Sequence, residues 1–377
     1  MDKNKGKKLF TPGPLCCSSS VKEAMLVDLG SRDILFIDCV KQIRETLLDI
    51  AGVTSNDYAC VPLQGSGTYS VEAILQTTSP RIGTKILILA NGAYGKRMEK
   101  MCQYANLEYN IKCFPETQKI TADTVNPLLS AGVQYSTVAI VHCETSSGVI
   151  NQVEEVGKLV KQLQSGAAYF VDAMSSFGAI PLDLMAGGVD YLVSSANKCL
   201  EGVPGFAYAI CRKNHLISCK GNCRVLSLDL VEQYLNLEAT GQFRFTPPTH
   251  TMLAFKQALK EYENQGGLQG RAQRYKNNRS ILKKGMAKLG FQELLDNEHD
   301  GYIITSYFMP KHPNFNFKQF YTKLADKGQV IYPGKVTDAE CFRVGNIGHL
   351  FPEDMNTLLN CIVEVLEEMD VPMPLQK

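Results

Sequence analysis

Between residues 58 and 212, short apolar runs alternate with stretches of helical periodicity, and this rhythm restricts the chain to one architecture. "YACVPLQ" leads through "GSGT" into "YSVEAILQTT". "KILILA" leads through "NGAYG" into "KRMEKMCQYA". "STVAIVHCE" leads through "TSSGVIN" into "VEEVGKLVKQL", and "AYFVDA", "DYLVSSA" and "FAYAICR" follow. Apolar runs of this length without polar alternation are strands covered on both faces. The helical periods between them supply the crossovers. The pattern predicts an α/β fold with a mostly parallel central sheet and helices on both faces.

The last hundred residues change character. "RYKNNRSILKKGMAKLGF" has helical spacing and stops at Gly290; "FKQFYTKLADKG" stops at Gly328. "YIITSYFM", "VIYPG" and "CFRVGNI" read as strands, and "PEDMNTLLNCIVEVLEEM" as a closing amphipathic helix with Pro352 in its first turn. This predicts a smaller C-terminal α+β domain. The expected division is an arm at 1–20 associated with the small domain, a large domain at 21–270 and a small domain at 271–377, with the break in "NQGGLQG".

With 39 basic and 38 acidic residues, the net charge of +1 gives no bulk attraction to nucleic acid or an anionic membrane. The basic "KNKGKK" near the start reads as a frayed, solvated end. No apolar h-region follows it, and no apolar run approaches the roughly eighteen residues of a membrane span. The expectation is a cytoplasmic protein with neither nucleic-acid nor membrane partner. Thirteen cysteines, mostly within apolar runs, read as reduced thiols. His215, Cys219 and Cys223 come nearest to a metal spacing, but the second ligand pair is missing, so no metal is expected.

In an open α/β sheet, ligands bind beyond the carboxyl ends of the strands. Four such positions carry chemistry. Ser66, Gly67 and Thr68 sit between a strand and a helix, where free N–H groups suit a phosphate; a simple helix cap is the other reading. Asp172 closes an apolar strand, either as a cap or as the partner of a cation or donor. Tyr94 either packs or lies over a planar ring. Lys198 follows the strand "DYLVSSA" between small residues. Its head either snorkels to water or, desolvated, becomes a nucleophilic amine.

Taken together, these groups call for a phosphate, a stackable ring, a ring nitrogen that wants a carboxylate, and an aldehyde for the lysine. Pyridoxal 5'-phosphate has all four. Asp172 precedes Lys198 by 26 residues, one crossover apart, so neighbouring parallel strands can bring both to one ring.

"FTPGP", "GSGTYSVEA", "NGAYGKR", "HCETSSG", "VDAMSSFG" and "SSANKCLEGVPGFA" together resemble the class V, fold-type-I pyridoxal-phosphate aminotransferases. "RFTPPTHT", "RYKNNRSIL", "VIYPGKV" and "CFRVGNIG" extend the likeness, which runs from about residue 9 to 365. The resemblance implies that Lys198 carries the cofactor as a Schiff base and that Asp172 pairs with its pyridinium. Ser66, Gly67 and Thr68 would hold the phosphate, Tyr94 would stack on the ring, and Thr145 would lie near the ring hydroxyl. Thr246 would reach the cofactor phosphate of a partner subunit, in a homodimer with shared active sites. Arg343 would grip the substrate's anionic end, and Gly13 would border the substrate. An arginine inside a strand-like run supports that role, since it costs several kcal/mol unless paired.

Within the class, the likeness is nearest to members that move the amino group of 2-aminoethylphosphonate to pyruvate, giving phosphonoacetaldehyde and alanine in phosphonate degradation. Alanine–glyoxylate or serine–pyruvate transamination would use the same cofactor machinery. A cysteine desulfurase would need a mobile cysteine, whereas Cys341 lies in a strand-like run. A cofactor-free phosphate-binding protein using "GSGT" is the alternative from another class.

Overall fold

The structure is a computed structural model and describes residues 6–83, 85–296, 301–332 and 339–375. Its centre is a seven-stranded sheet in the order Tyr58–Gln64, Phe206–Arg212, Tyr191–Ser195, Ala168–Asp172, Tyr135–Val141, Lys85–Ala90, Tyr109–Cys113. Phe206–Arg212 runs antiparallel to both neighbours, and the other strands are parallel. The five interior strands are almost wholly buried, which explains their continuous apolar runs.

From Lys85–Ala90 the chain crosses first to the edge strand Tyr109–Cys113 and then back to Tyr135–Val141. The winding direction reverses there, which opens a crevice beyond the strand ends. The edge strand escaped the sequence reading because it is polar and partly exposed, with Lys112 and Cys113 at the surface. The helix Ala122–Leu129, short and containing Pro127, escaped it too.

A second core gathers Leu282, Met286, Phe291, Tyr307, Phe320, Phe342 and the closing helix Pro352–Glu368. Its aromatics interlock, with Phe291 and Phe342 ring centroids 5.7 Å apart and nearly perpendicular. Ile304–Phe308 and Cys341–Gly345 pair antiparallel beside this core. The "KNKGKK" segment is not frayed throughout. Lys8–Phe10 forms a strand parallel to Gln329–Ile331, and the Phe10 side chain is fully buried in the second core. Burial of that ring outweighs the solvation of the neighbouring lysines. The run read as the strand "VIYPG" ends at Ile331, with Tyr332 continuing as a single bridge to Arg343. Residues 333–336 of "VIYPGKV" lie outside the described residues.

Two residues, Gln265 and Gly266, separate the helix Thr249–Asn264 from the helix Gly267–Lys288. Its far end supplies Leu282 and Met286 to the second core, while Arg271 and Tyr275 bury nearer its start. No helix among the described residues is long and apolar enough to cross a membrane.

Candidate active site

Lys198 lies just beyond the strand Tyr191–Ser195. A tight turn fixes its backbone: the Glu201 N–H donates to the Lys198 carbonyl, and the Gly202 N–H to the Ala196 carbonyl, each at 2.8 Å. The side chain reaches back across the sheet edge, where Nζ donates to the Pro12 carbonyl at 2.8 Å. Desolvation lowers the proton affinity of this amine, against the pull of Cys199 and Asp172.

Asp172 ends the adjacent parallel strand, its Cα in register with Val193. The carboxyl is buried. Oδ1 accepts the Met174 N–H at 2.9 Å. Burial pushes its pKa up to about 6, opposed by that N–H and by the charges of Lys198 and Arg97.

Ser66 is the residue before the helix Gly67–Thr77, and its side chain makes no capping bond to that helix. At Gly67 a Cβ would lie 2.2 Å from Met174 Cε, so any side chain there would displace the end of that methionine. The backbone and hydroxyls of this helix start therefore face the cavity without a side chain in the way.

Tyr94, placed in a turn by the sequence reading, sits instead in the first turn of the helix Ala93–Tyr104. Its N–H donates to Glu144 Oε2 at 3.2 Å, and the Ala93 N–H donates to Ser146 Oγ at 3.3 Å. Glu144 is fully buried, and its Oε1 also accepts the Ser146 N–H at 3.1 Å and the Ser146 hydroxyl at 2.7 Å. Burial raises its pKa to about 7, opposed by the Ser146 and Tyr94 hydrogen bonds. Glu144 thus replaces a local cap and fixes the helix start that carries Tyr94.

Gly13, Ser66, Gly67, Thr68, Tyr94, Asp172 and Lys198 line one cavity of about 250 Å³. Gly13 has φ +126°, and a Cβ there would meet Lys198 Nζ at 2.6 Å. Thr145 and Arg343 are not among the residues lining that cavity; they neighbour Tyr94. The Thr145 hydroxyl is buried without a hydrogen bond of good geometry among the described residues, and the Tyr94 phenol is its polar neighbour. Arg343 is 7% exposed on the strand Cys341–Gly345. Its Nη1 donates to the Thr145 carbonyl at 2.6 Å, and its guanidinium lies 4.7 Å from the Tyr332 ring centroid. Thr246 is apart: it is exposed, in a separate surface depression with Arg32 and Arg244.

Among the lining residues that the sequence reading did not assign to the site are Tyr332, Arg97 and Met174. Tyr332 and Arg97 stand in quoted motifs, "VIYPGKV" and "NGAYGKR", and their aromatic and cationic character next to Arg343 and Tyr94 was the available signal. Met174 had none, because its contact with Gly67 joins segments far apart in the chain.

The overall shape is that of the fold-type-I transferases. A ureidoglycine–glyoxylate aminotransferase from Bacillus subtilis superposes with a TM-score of 0.88 at 18% identity, over 98% of this chain and 95% of that one. A pyridoxamine–pyruvate aminotransferase from Mesorhizobium loti superposes with a TM-score of 0.86 at 20% identity, over 99% and 95%. Residues 26–335 match the family Aminotransferase class-V. The chain belongs to that family, as the motifs around Lys198 and Asp172 lead one to expect. Two relatives named 2-aminoethylphosphonate–pyruvate transaminase cover most of the chain. The one from Bacteroides fragilis is 45% identical over 94% of this chain and 98% of its own length. The one from Salmonella heidelberg is 46% identical, over 94% and 96%.

The cavity suits the pyridoxal phosphate of this family. A desolvated amine and a buried carboxyl share it, and the start of the helix Gly67–Thr77, whose Ser66 side chain makes no capping bond, opens onto it.

Proposed function

We propose that this chain is a pyridoxal-phosphate-dependent transaminase that moves the amino group of 2-aminoethylphosphonate to pyruvate, giving phosphonoacetaldehyde and alanine. The observation that carries the chemistry is the pairing of Lys198 and Asp172 in one cavity at the ends of adjacent strands. The choice of substrates rests on the relatives, which are 45–46% identical over nearly the whole chain.

When bound, the cofactor supplies an aldehyde for amines and a ring that draws electrons from the carbon beside the nitrogen. Lys198 holds it covalently. Lys198 Nζ would act as general base, taking a proton from the substrate carbon that bears nitrogen and later giving it back. Its lowered proton affinity would keep the neutral amine accessible. Asp172 would hold a proton on the ring nitrogen. Ser66, Gly67 and Thr68 would hold the phosphate, with Tyr94 against the ring and Thr145 near the ring hydroxyl.

Arg343 grips the phosphonate and then the carboxylate. Its planar fork matches both anions, and its stacking on Tyr332 fixes the fork's plane. Gly13 leaves room for the substrate beside Lys198.

Thr246 serves a second copy of the chain. Its exposure, its place outside the cavity of its own chain and the exposed side chains of Leu26, Ile34, Leu35 and Phe245 favour a homodimer with shared sites. A division into an arm at 1–20, a large domain at 21–270 and a small domain at 271–377 agrees with two separate cores and with Phe10 docked in the second. Thirteen free thiols suit a cytoplasmic setting.

The deciding assay follows phosphonoacetaldehyde release from 2-aminoethylphosphonate with pyruvate, beside alanine with glyoxylate and serine with pyruvate as the rival pairs. The proposal requires the phosphonate donor to give the highest kcat/KM; preference for alanine or serine contradicts it.

A further inference from the structure

We infer that Glu201 is a positioning residue of this reaction, tying the turn that carries Lys198 to the strand that carries Arg343. The inference rests on the reading above and adds the device that holds base and anion grip in one register.

Glu201 follows Lys198 by three residues and has φ +59°, a left-handed backbone that non-glycine residues rarely adopt. Its N–H closes the lysine turn. Its carboxylate is buried and points away from the cavity, into the helix Gly267–Lys288. There it meets Arg271 Nη1 at 3.1 Å, Arg274 Nη2, and the Tyr275 hydroxyl, which donates to it at 2.6 Å. Arg271 also donates to the carbonyl of Cys199, the residue after the lysine. One face of one helix thus holds both the backbone and the side chain of the lysine turn.

The same helix holds the other end. The Tyr275 hydroxyl accepts the Gly348 N–H at 3.1 Å, and the Tyr275 carbonyl accepts Asn346 Nδ2 at 3.1 Å. Asn278 donates to the carbonyls of Asn346 at 3.2 Å and Leu350 at 2.9 Å. Asn346 comes directly after the strand Cys341–Gly345 that bears Arg343. The path runs from Lys198 through Glu201 and Tyr275 to Asn346 and Arg343 in buried, charge-assisted or backbone hydrogen bonds. It has one carboxylate for two buried guanidinium groups. Neutralising that carboxylate leaves both arginines without a counter-charge, and the helix loses its hold on the turn.

Asp190 provides the comparison. It is another buried carboxylate, paired with Lys161 and Arg212, but it stands just before the strand Tyr191–Ser195, at the end opposite Lys198, and touches none of these groups. Its loss should cost stability alone.

The test compares Glu201→Gln, Tyr275→Phe and Asp190→Asn in the cofactor-loaded full chain. KM and kcat are measured for 2-aminoethylphosphonate and pyruvate. Amide hydrogen exchange is followed over 196–205 and 341–350. Glu201→Gln should raise KM for both anions about tenfold, Tyr275→Phe should raise it less, and Asp190→Asn should lower the melting temperature without moving KM. Both segments should lose protection together in the first two variants. Glu201→Gln that melts lower but keeps wild-type KM, or that loosens 196–205 alone, overturns the inference. If that variant does not fold, unchanged KM and exchange in Tyr275→Phe overturn it. Should the wild type itself fail to turn over 2-aminoethylphosphonate, the proposed function fails, while coupled exchange still decides the Glu201 linkage.

Discussion

Replacing Gly13 by alanine separates stability from chemistry at a single atom. With φ +126°, the backbone at Gly13 suits glycine, and a Cβ costs roughly 1–3 kcal/mol in local strain. That Cβ would also stand 2.6 Å from Lys198 Nζ, 2.9 Å from Cδ and 3.0 Å from Cε. Carbon contacts settle at about 3.5–4.0 Å, so the end of the lysine must retreat by about 1 Å. The chain yields readily, because the obstacle is the tip of a flexible side chain. The reaction does not, since a misplacement of about 1 Å can cost about 100-fold in rate, or about 2.7 kcal/mol. Gly13→Ala should therefore melt only a few degrees below wild type while kcat falls about 100-fold. Gly52→Ala is the control: φ is +68° and nothing lies within 4 Å of the added carbon. It should show a comparable stability loss and full activity. Differential scanning calorimetry and steady-state kinetics on the pair decide the matter. Gly13→Ala with kcat within about threefold of wild type would refute the placement of Lys198 against the "TPGP" turn.

Other perturbations probe the remaining groups. Burial raises the Asp172 pKa from 3.8 to about 6, so the folded state binds a proton that the unfolded state releases between those values. The stability of the cofactor-free chain should then decline as pH rises from about 4 to 6 and stay depressed above that. Asp172→Asn should stabilise the cofactor-free protein by roughly 2–3 kcal/mol at pH 8 and by nothing near pH 3, while abolishing turnover; thermal melts across pH check the sign. Arg343→Lys loses the planar fork and the stacking on Tyr332, and should lower kcat/KM for both substrates by about 30- to 150-fold, or 2–3 kcal/mol; equal kinetics would remove Arg343 from substrate binding. Glu144→Ala leaves the Tyr94 and Ser146 N–H groups without an acceptor. It should cost about 1–3 kcal/mol in urea unfolding and weaken cofactor retention, and a variant as stable as wild type would contradict its capping role.

The fold was legible where burial is one-sided in its demands. Interior strands covered on both faces write themselves as unbroken apolar runs, and Asp172 and Lys198 stand out because each ends such a run with a charge. Tyr109–Cys113 was illegible because an edge strand needs no apolar run. The frayed reading of "KNKGKK" failed at its last residue, Lys8, which opens a strand paired with Gln329–Ile331, some three hundred positions away. Tyr94 was read in a turn and lies in a helix, since the cap of that helix comes from Glu144 rather than from a neighbour in sequence. Glu201 illustrates the limit most clearly. Alone in "NKCLEGVPG" it is one more polar turn residue. Its meaning comes only from Arg271, Arg274 and Tyr275, which the fold brings to it from seventy or more positions away.

The covalent anchor is the claim on which the chemistry turns. Borohydride reduction of the cofactor-loaded chain, followed by peptide mass spectrometry, locates it directly. The pyridoxyl mass should appear on the peptide containing Lys198, and on none in Lys198→Ala. A label on another lysine, or an unlabelled Lys198 in active protein, would contradict the assignment.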